Sequence, residues 1–465
     1  MYPRLASDLS RLPQLLADSA AFAVRELGSL PARPVAWTGQ APTADPLPRE
    51  GVGAEAALAR FAERWAPGFS GSAGPRYLGF VTGGTTPAAL VGDWLTGTYD
   101  QNAMTGGDSS ATALERETIA WLRELFGIGE AHDGVFVTGA TASNTVGLAT
   151  AREWAGERLG VRVSRDGVGA LGPLPVLSGA PHSSIAKALS VLGLGRSALV
   201  PVPLLPGGRE AVDPRRLEEE LRARAGRPSV VVANAGTVNT VDFDDLGAIA
   251  ALRQRYDFWL HVDAAFGGFA ALSPRHADLV RHLDAADSVC LDLHKWLNVP
   301  YDAALAFTRH RELQVRVHQN AASYLSAPVG EPDFLHLAPE NSRRLRAVAA
   351  WFTLTAYGRD GYREIVERCT ALAGRLAAGL GSTAELRLAA PTRLNVVCFT
   401  LAHRPTPERV QALARAIAET GETFVTPTVL FGQPVLRAAL SNWSTTEADV
   451  DRVVRVVSEV SRGFA

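Results

Sequence analysis

The sequence predicts an α/β protein built on a mostly parallel sheet covered by helices, with a smaller α+β portion at the C-terminal end. Six short runs rich in β-branched residues alternate with helical stretches between residues 134 and 293. This order is typical of strand–helix–strand units. The runs are apolar throughout rather than at every second residue, which indicates strands that are buried on both faces of the sheet.

The chain begins with an amphipathic helical stretch over residues 1–30, a Pro/Gly-rich connector over 30–53 and a helical piece that ends near Trp65. The six predicted strands follow, with the sequences GVFVTG, LPVLSGA, ALVPVPL, PSVVVANAG, FWLHVDAA and DSVCLDL. Candidate helices lie between them, over residues 143–159, 183–193, 214–225 and 244–256.

Beyond Pro339, a long helical stretch over 341–380 leads to the segment RLNVVCFTL, a helix over 406–420, the segment PVLRAALSN and a final helix. No internal repeat or low-complexity tract interrupts this order. The chain is therefore expected to divide into an N-terminal helical segment, a large domain and a small C-terminal domain, over residues 1–75, 76–345 and 346–465.

Composition and charge exclude several classes of protein. The 465 residues are 47% hydrophobic and 20% charged, and a formal net charge of −2 gives no reason to expect nucleic acid or an anionic membrane as a partner. No apolar run is long enough for a membrane span or resembles a signal peptide. The three cysteines form no CxxC pair, so we expect a cytoplasmic protein without a disulfide framework.

Lysine is rare in this chain. Of the 46 basic residues only Lys187 and Lys295 are lysines, and the rest are arginines. Arginine stays protonated, whereas a desolvated lysine can lose its proton and act as an amine nucleophile. Lys187 lies in the helical segment HSSIAKAL and needs only a structural explanation, but the surroundings of Lys295 favour a functional one.

Two polar motifs follow consecutive predicted strands. Asp263 lies in HVDAAFGG at the end of one strand, and Lys295 lies in DLHKWL at the end of the next. Parallel strands deliver these residues to one edge of the sheet, where open α/β sheets bind ligands. A structural aspartate that caps the following turn is the alternative. A carboxylate and an amine at one edge suit pyridoxal 5′-phosphate (PLP), which needs a lysine for its aldehyde and a carboxylate beside its pyridine nitrogen.

The segment TGATASN, residues 138–144, separates the first predicted strand from a helix. Backbone N–H groups at a helix N-terminus bind phosphate, and Gly139 would allow a close approach. Thr141, Ser143 and Asn144 add polar side chains. The alternative is an ordinary helix start, because small polar residues begin many helices.

His182 follows the second predicted strand, at the same edge of the sheet. An imidazole there could stack on the pyridine ring or transfer a proton near neutral pH, although a lone histidine in a loop is more often structural. The sequence contains no HExxH or Walker GxxxxGK[ST] pattern, so we expect no metal.

Together these motifs resemble the group II PLP-dependent amino-acid decarboxylases, the family of the aromatic-L-amino-acid, histidine and glutamate decarboxylases. The resemblance extends from about Tyr77 to the C-terminal helix. It implies fold type I, as in aspartate aminotransferase, with a seven-stranded sheet and PLP as cofactor. It also implies a homodimer with active sites at the subunit interface, on which the N-terminal segment would pack.

The resemblance assigns roles to individual residues. Lys295 would form the Schiff base with PLP, and Asp263 would pair with the ring nitrogen. Ala265 and His182 would pack on the two faces of the ring. Further residues match the family's cofactor pocket, namely Ala140, Thr141, Asn144, Thr237, Asp292 and His294. Thr82 matches a residue near the substrate carboxylate, and Tyr324 matches a catalytic tyrosine on a mobile loop.

The implied reaction is decarboxylation of an L-amino acid, aromatic or hydrophobic by the weight of the family, to an amine and CO2, with Tyr324 as the proton donor. One alternative is the oxidative branch of the family, which forms an aldehyde and usually lacks the loop tyrosine. Others are a different fold type I lyase or aminotransferase, and a PLP-binding protein without turnover. Gly79 and Asn102 stand where aromatic-amino-acid decarboxylases carry bulky pocket residues, which leaves the substrate open.

Overall fold

A seven-stranded sheet forms the centre of the chain in the computed structural model, which describes residues 1–320 and 331–464. Its strands are β1 (Asp133–Val137), β2 (Val176–Ser178), β3 (Leu199–Pro201), β4 (Ser229–Asn234), β5 (Phe258–Asp263), β6 (Ser288–Asp292) and β7 (Ala304–Thr308). The spatial order is β1-β7-β6-β5-β4-β2-β3. The pairs from β6 to β3 are parallel, and β7 is antiparallel to both of its neighbours.

This sheet confirms the predicted fold class. The first six strands coincide with the six predicted runs, and every residue of β4, β5 and β6 is buried. Continuous runs of apolar residues fit strands that are covered on both faces. The seventh strand, β7, was not among the runs predicted from the residues, because ALAFT contains little more than small and aromatic side chains.

Helices surround the two sheets of the chain. In chain order they are α1 (Pro3–Ser10), α2 (Leu12–Ser29), α3 (Ala54–Arg64), α4 (Pro87–Tyr99), α5 (Ala111–Leu125), α6 (Ala140–Arg158), α7 (Val163–Asp166), α8 (Val168–Leu171), α9 (Ser183–Val191), α10 (Pro214–Ala223), α11 (Leu246–Leu252), α12 (Leu293–Trp296), α13 (Arg311–His318), α14 (Ala347–Gly381), α15 (Pro407–Glu419) and α16 (Glu447–Ser461). None of these helices is long and apolar enough to cross a membrane, within the residues that the structure describes.

A second, antiparallel sheet lies in the C-terminal region. Its strands are β8 (Leu386–Leu388), β9 (Val396–Leu401), β10 (Thr426–Leu430) and β11 (Gln433–Ala439), in the order β10-β11-β9-β8. Leu376 of α14, Leu413 of α15 and Val453 of α16 share one apolar core with this sheet. The long helix α14 bends at Gly358, where φ is +58°, a conformation that glycine adopts without strain. The predicted domain boundaries stay predictions.

Candidate active site

A cavity of about 470 Å³ lies at the carboxyl ends of the central strands of the large sheet. Asn234 ends β4, Asp263 ends β5 and Asp292 ends β6, and all three line the cavity. Parallel neighbours place their last residues side by side, so the sheet itself brings these polar groups to one edge. We call Asp263, Ala265, Asp292, His294 and Lys295 the sheet-edge wall.

Lys295 lies in the short helix α12, directly after β6, and lines the cavity. Its Nζ is 3.1 Å from Asp292 Oδ2 and 5.5 Å from the centre of the Phe266 ring. Burial by itself would favour the neutral amine, but the carboxylates of Asp292 and Asp263 outweigh it and raise the pKa of Lys295. The amine is therefore held as a cation between two carboxylates.

Asp263 is fixed by two hydrogen bonds. Asn144 Nδ2 donates to Oδ2 at 2.9 Å, and the Ala265 N–H donates to Oδ1 at 3.2 Å. Behind Asn144, His261 Nε2 lies 2.9 Å from Asn144 Oδ1, and His261 Nδ1 lies 2.7 Å from Ser288 Oγ. Burial lowers the pKa of His261 to about 4, so the ring is neutral at physiological pH and Nε2–H donates to Asn144.

The position of Asn144 corrects one expectation from the sequence. Asn144 was expected in the phosphate-binding turn, but its side chain is fully buried behind the cavity and bonds Asp263 and Ser184. The reason is helical geometry, because Asn144 lies one turn into α6 and faces β5 rather than the cavity. Asn144 therefore orients the Asp263 carboxylate.

The N-terminus of α6 opens on the cavity. Gly139, Ala140 and Thr141 line it, and Gly139 caps the helix without a side-chain hydrogen bond. The first N–H groups of a helix have no partner within the helix, and the helix dipole adds positive potential there. This 19-residue helix thus presents free backbone donors that suit an anion such as phosphate.

Two histidines lie on the cavity wall. His182 caps α9, where its Nδ1 accepts the Ser184 N–H at 3.2 Å, which leaves the hydrogen on Nε2. His294 Nδ1 accepts the Ala303 N–H at 3.3 Å, and its Nε2 lies 3.1 Å from Asp292 Oδ1. Desolvation lowers the pKa of both rings, so both are neutral near pH 7.

Thr237 lines the cavity, as expected, and its Oγ1 donates to Glu210 at 2.8 Å. Thr82 is buried but is not among the cavity-lining residues, whereas Phe80 and Val81 are. Its Oγ1 lies 3.4 Å from the Gly79 carbonyl. The structure thus brings Thr237 to the site and leaves Thr82 just behind it.

Gly79 and Asn102, where bulky pocket residues were expected in the family, have local explanations. A Cβ at Gly79 would lie 2.6 Å from Phe424 Cε1, so Phe424 occupies the space of the missing side chain. Asn102 Oδ1 accepts the Arg343 N–H at 3.1 Å and is not a lining residue of the cavity.

Arg437 is a cavity residue that sequence reasoning missed. It lies in β11 and is 4% exposed, and its Nε and Nη1 donate to the Val238 and Phe80 carbonyls. Among the residues that the structure describes, its Nη2 has no hydrogen-bond partner. Desolvation lowers the pKa of Arg437 to about 10, so it stays charged at neutral pH. We call Phe80, Val238 and Arg437 the arginine wall.

Comparison with known proteins identifies the family. Residues 54–402 match the family model described as the pyridoxal-dependent decarboxylase conserved domain. The chain belongs to the pyridoxal-dependent decarboxylase family. This match confirms the family, the PLP cofactor and the decarboxylase class that the motifs predicted.

Curated relatives of this decarboxylase differ in what they are named for. The aromatic-L-amino-acid decarboxylase of Bacillus atrophaeus is 27% identical over 83% of this chain and 81% of its own length. The L-2,4-diaminobutyrate decarboxylase of Rhizobium meliloti (strain 1021) is 28% identical over 90% of this chain and 84% of its own. The 4-hydroxyphenylacetaldehyde synthase of Rhodiola rosea is 22% identical over 99% and 96%.

Solved structures confirm the fold of this decarboxylase. The structure of Oryza sativa TDC with PLP and tryptamine superposes with a TM-score of 0.90 and 23% identity, over 98% of each chain. Mouse CSAD superposes with a TM-score of 0.87 and 24% identity, over 98% of this chain and 99% of its own.

The cavity fits PLP in its donor chemistry. It presents a lysine amine, a carboxylate fixed by two hydrogen bonds, and the uncapped N-terminus of α6. The buried Asp292 carboxylate stands between two other polar groups of this wall, with Oδ2 3.1 Å from Lys295 Nζ and Oδ1 3.1 Å from His294 Nε2. Tyr324, the predicted catalytic tyrosine, lies outside the described residues.

Sequence signals for the missed residues differ in strength. Arg437 interrupts the apolar run PVLRAAL, and a lone arginine in a buried strand is unusual enough to be noticed. Phe266 lies within the motif HVDAAFGG and Tyr301 lies six residues after Lys295, and both line the cavity. Phe80 gives no signal, because an aromatic residue in a loop is ordinary.

Proposed function

We propose that this decarboxylase converts an aromatic or hydrophobic L-amino acid to the corresponding amine and CO2. The observation that carries the proposal is one cavity lined both by Lys295 and Asp263 on the sheet-edge wall and by Arg437 on the arginine wall, a cation whose Nη2 has no hydrogen-bond partner among residues 1–320 and 331–464. The two walls supply separate anchors for a cofactor and for a carboxylate.

Lys295 would hold PLP covalently through Nζ, Asp263 would pair with the ring nitrogen, and the N-terminus of α6 would bind the phosphate. When bound, PLP supplies the electron sink for the electron pair left by the departing carboxylate. Further cofactor contacts are proposed for Ala140, Thr141, His182, Thr237, Ala265, Asp292 and His294. Asn144 supports this arrangement through Asp263.

Arg437 would bind and orient the substrate carboxylate. A buried guanidinium whose terminal NH2 group has no partner among the described residues binds an anion strongly, since few water molecules compete for it. Orientation is the main contribution that the protein makes to such a reaction, because the reacting bond must be held in a fixed direction. His182 and Tyr324 are proposed to carry protons, with Tyr324 as the donor to the product carbon.

The lining of the cavity supports an apolar substrate side chain. Phe80, Val81, Val238, Phe266 and Tyr301 contribute apolar or aromatic surface. Arg437 is the one arginine among the described lining residues, so a substrate with a second carboxylate finds no second guanidinium in a single chain. Burial of a hydrophobic side chain against this surface would favour binding by roughly 25 cal/mol per Å².

A homodimer is proposed as the working assembly. Helices α1, α2 and α3 contain no buried residue, and Leu5, Leu9 and Leu16 are 59%, 60% and 62% exposed. Exposed apolar helix faces of this kind mark association surfaces, and a second copy of the chain is the proposed partner. Light scattering should give twice the chain mass, and Leu9→Arg should shift it toward the monomer. The three buried, unpaired cysteines support a reducing, cytoplasmic location.

The function is tested by incubating PLP-loaded enzyme with each of the twenty common L-amino acids while CO2, amine, aldehyde and ammonia are measured. We expect amine and CO2 in equal amounts, with the highest kcat/KM for an aromatic or large hydrophobic substrate. Aldehyde and ammonia from the wild type would place the enzyme in the oxidative branch, and transfer of the amine to 2-oxoglutarate would make it an aminotransferase.

Replacement of the loop tyrosine sharpens the same assay. Tyr324→Phe, assayed in air, should lower amine formation and raise the aldehyde fraction, because the product carbon loses its proton donor and dissolved O2 is then the available oxidant. Tyr99→Phe is the matched control, since Tyr99 is 70% exposed and lies outside the cavity. Amine formation unchanged in Tyr324→Phe would remove Tyr324 from the proposed mechanism.

A further inference from the structure

The loop of residues 237–242, between β4 and α11, is tightly folded and strained. The Thr237 N–H donates to the Asp242 carbonyl at 2.9 Å, and the Val241 N–H donates to the Thr237 carbonyl at 3.1 Å. Val241 has φ +52° and is completely buried. A β-branched residue rarely adopts this left-handed conformation, so fixed contacts from outside must keep the loop in it.

Glu210 supplies those contacts from a different segment of the chain. Glu210 is buried, with 7% of the residue exposed. Oε2 accepts hydrogen bonds from Thr237 Oγ1 at 2.8 Å, from the Thr240 N–H at 2.9 Å and from Thr240 Oγ1 at 2.7 Å, while Oε1 accepts one from Asn239 Nδ2 at 3.2 Å. Every partner is a donor, which is what an ionised carboxylate requires. One side chain thus ties three residues of the strained loop together.

The same loop connects the cavity to the small sheet. Thr237 and Val238 line the cavity, and the Val238 carbonyl accepts a hydrogen bond from Arg437 Nε. Asn239 Oδ1 accepts a hydrogen bond from Thr428 Oγ1 at 3.0 Å, and its carbonyl lies 3.1 Å from Cys398 Sγ. A displacement of this loop would therefore move the carbonyl that orients the Arg437 guanidinium.

We propose that Glu210 is a positioning residue for substrate binding, which holds the 237–242 loop so that Val238 aims Arg437 into the cavity. The inference rests on the proposed role of Arg437 as the carboxylate anchor. Glu210 does not line the cavity, so it acts only through the loop. Its own charge also favours the charged form of Arg437.

The test compares Glu210→Gln with Glu220→Gln. Glutamine would place an NH2 group against the O–H and N–H donors of the loop, so hydrogen bonds to the loop should be lost. The loop should then relax, and the Arg437 guanidinium should no longer be held toward the cavity. We expect Glu210→Gln to raise KM about tenfold while kcat changes by less than about threefold, the pattern of lost substrate binding. Glu220 lies on the neighbouring helix α10 and pairs with Arg224, so its replacement should leave both constants unchanged. An unchanged KM in Glu210→Gln overturns the inference.

Relief of the strain gives a second test. Glycine adopts φ +52° without strain, so a loop with glycine at position 241 should need the Glu210 contacts less. The KM of the double variant Glu210→Gln/Val241→Gly should therefore lie within about threefold of the KM of Val241→Gly alone. Thr240→Ala removes one donor and leaves Glu210 in place, and it should raise KM by a smaller factor, about threefold. This milder variant decides the question if Glu210→Gln does not fold, since an unchanged KM there also contradicts the inference.

Hydrogen exchange separates this inference from the proposed function, because it needs no turnover. In the PLP-loaded protein the amides of residues 237–242 should exchange at least about tenfold faster in Glu210→Gln than in Glu220→Gln. Equal exchange overturns the role of Glu210 whatever the activity. Faster exchange in a protein whose wild type releases no CO2 from any amino acid would instead overturn the proposed function and leave the loop contact standing.

Discussion

The two walls of the cavity are built in opposite ways. The sheet-edge wall comes from residues 263–295, where two consecutive parallel strands end and short motifs follow them. The arginine wall joins Phe80, Val238 and Arg437, which are more than a hundred residues apart in sequence and meet through two carbonyl hydrogen bonds. The first wall holds groups that suit the cofactor, and the second holds a buried guanidinium that is proposed to bind the substrate carboxylate.

The two walls show that cofactor binding and substrate recognition depend on different parts of the fold. Cofactor chemistry needs an amine and a carboxylate at fixed positions, and neighbouring strand ends provide them with little dependence on the rest of the fold. Substrate recognition depends on a guanidinium whose direction is set by a strained loop and by the small sheet. Substitutions on the two walls should therefore fail in different ways.

The largest effect is expected at Lys295. Lys295→Ala should lower kcat by at least about 1,000-fold, because no other amine can hold PLP in the cavity. The variant should also lose covalent attachment of PLP after borohydride reduction, as measured by peptide mass. Lys187→Ala is the matched control, since Lys187 is the only other lysine and is exposed on α9. Attachment that persists in Lys295→Ala would contradict the proposed site.

A smaller loss of activity, caused by weaker substrate binding alone, is expected from a substitution on the arginine wall. Arg437→Met should lower kcat/KM about 100-fold, in the range found when one partner of a buried charge pair is removed. The affinity for PLP, measured by absorbance titration, should stay within about twofold, because the cofactor anchors lie on the other wall. Arg375→Met serves as the control, since Arg375 is 44% exposed and pairs with Asp451 on the surface. Equal losses of PLP affinity and substrate affinity in Arg437→Met would contradict the assignment of cofactor and substrate to separate walls.

Asn144 tests the support beneath Asp263. Asn144→Ala removes the 2.9 Å hydrogen bond to Asp263 Oδ2 and should lower kcat and PLP affinity about tenfold, the value of one hydrogen bond to a charged group. Thr145→Ala is the control on the same helix, because its hydroxyl bonds only the Thr141 carbonyl. A rise in KM without any change in PLP affinity would show that Asn144 acts elsewhere.

The last effect concerns stability and pH rather than activity. Burial lowers the pKa of His261 to about 4 from 6.5, so the unfolded chain takes up a proton first as the pH falls. Stability from the neutral ring is present above pH 6.5 and is lost between pH 6.5 and 4, by about 2 kcal/mol at pH 5. Denaturant unfolding at pH 7 and pH 5 should show this loss, and His261→Gln should remove it. His403→Gln, at an exposed position, should leave the difference between the two pH values unchanged.

Some elements and residues were predictable because their signals are local. Strands β4, β5 and β6 are buried, largely apolar runs. Asp263 is the last residue of β5, and Lys295 lies three residues after the end of β6. Strand β7, ALAFT, is also buried throughout but contains only one β-branched residue, and its antiparallel pairing between β1 and β6 identifies it as a strand. Asn144 was predicted in the phosphate-binding turn, and its side chain bonds Asp263 at the end of β5, because spacing alone did not fix which face of α6 meets the sheet.

The sequence by itself determined the α/β class and the placement of the Lys295 amine and the Asp263 carboxylate at one edge of the sheet. Both depend on local propensity and on parallel strands that end at the same edge. Tertiary structure alone decided that Arg437 reaches the cavity and that Phe424 fills the space beside Gly79. It also decided that Glu210 accepts hydrogen bonds from the 237–242 loop. Contacts between distant segments depend on how helices and sheets pack, and no spacing along the chain records that packing.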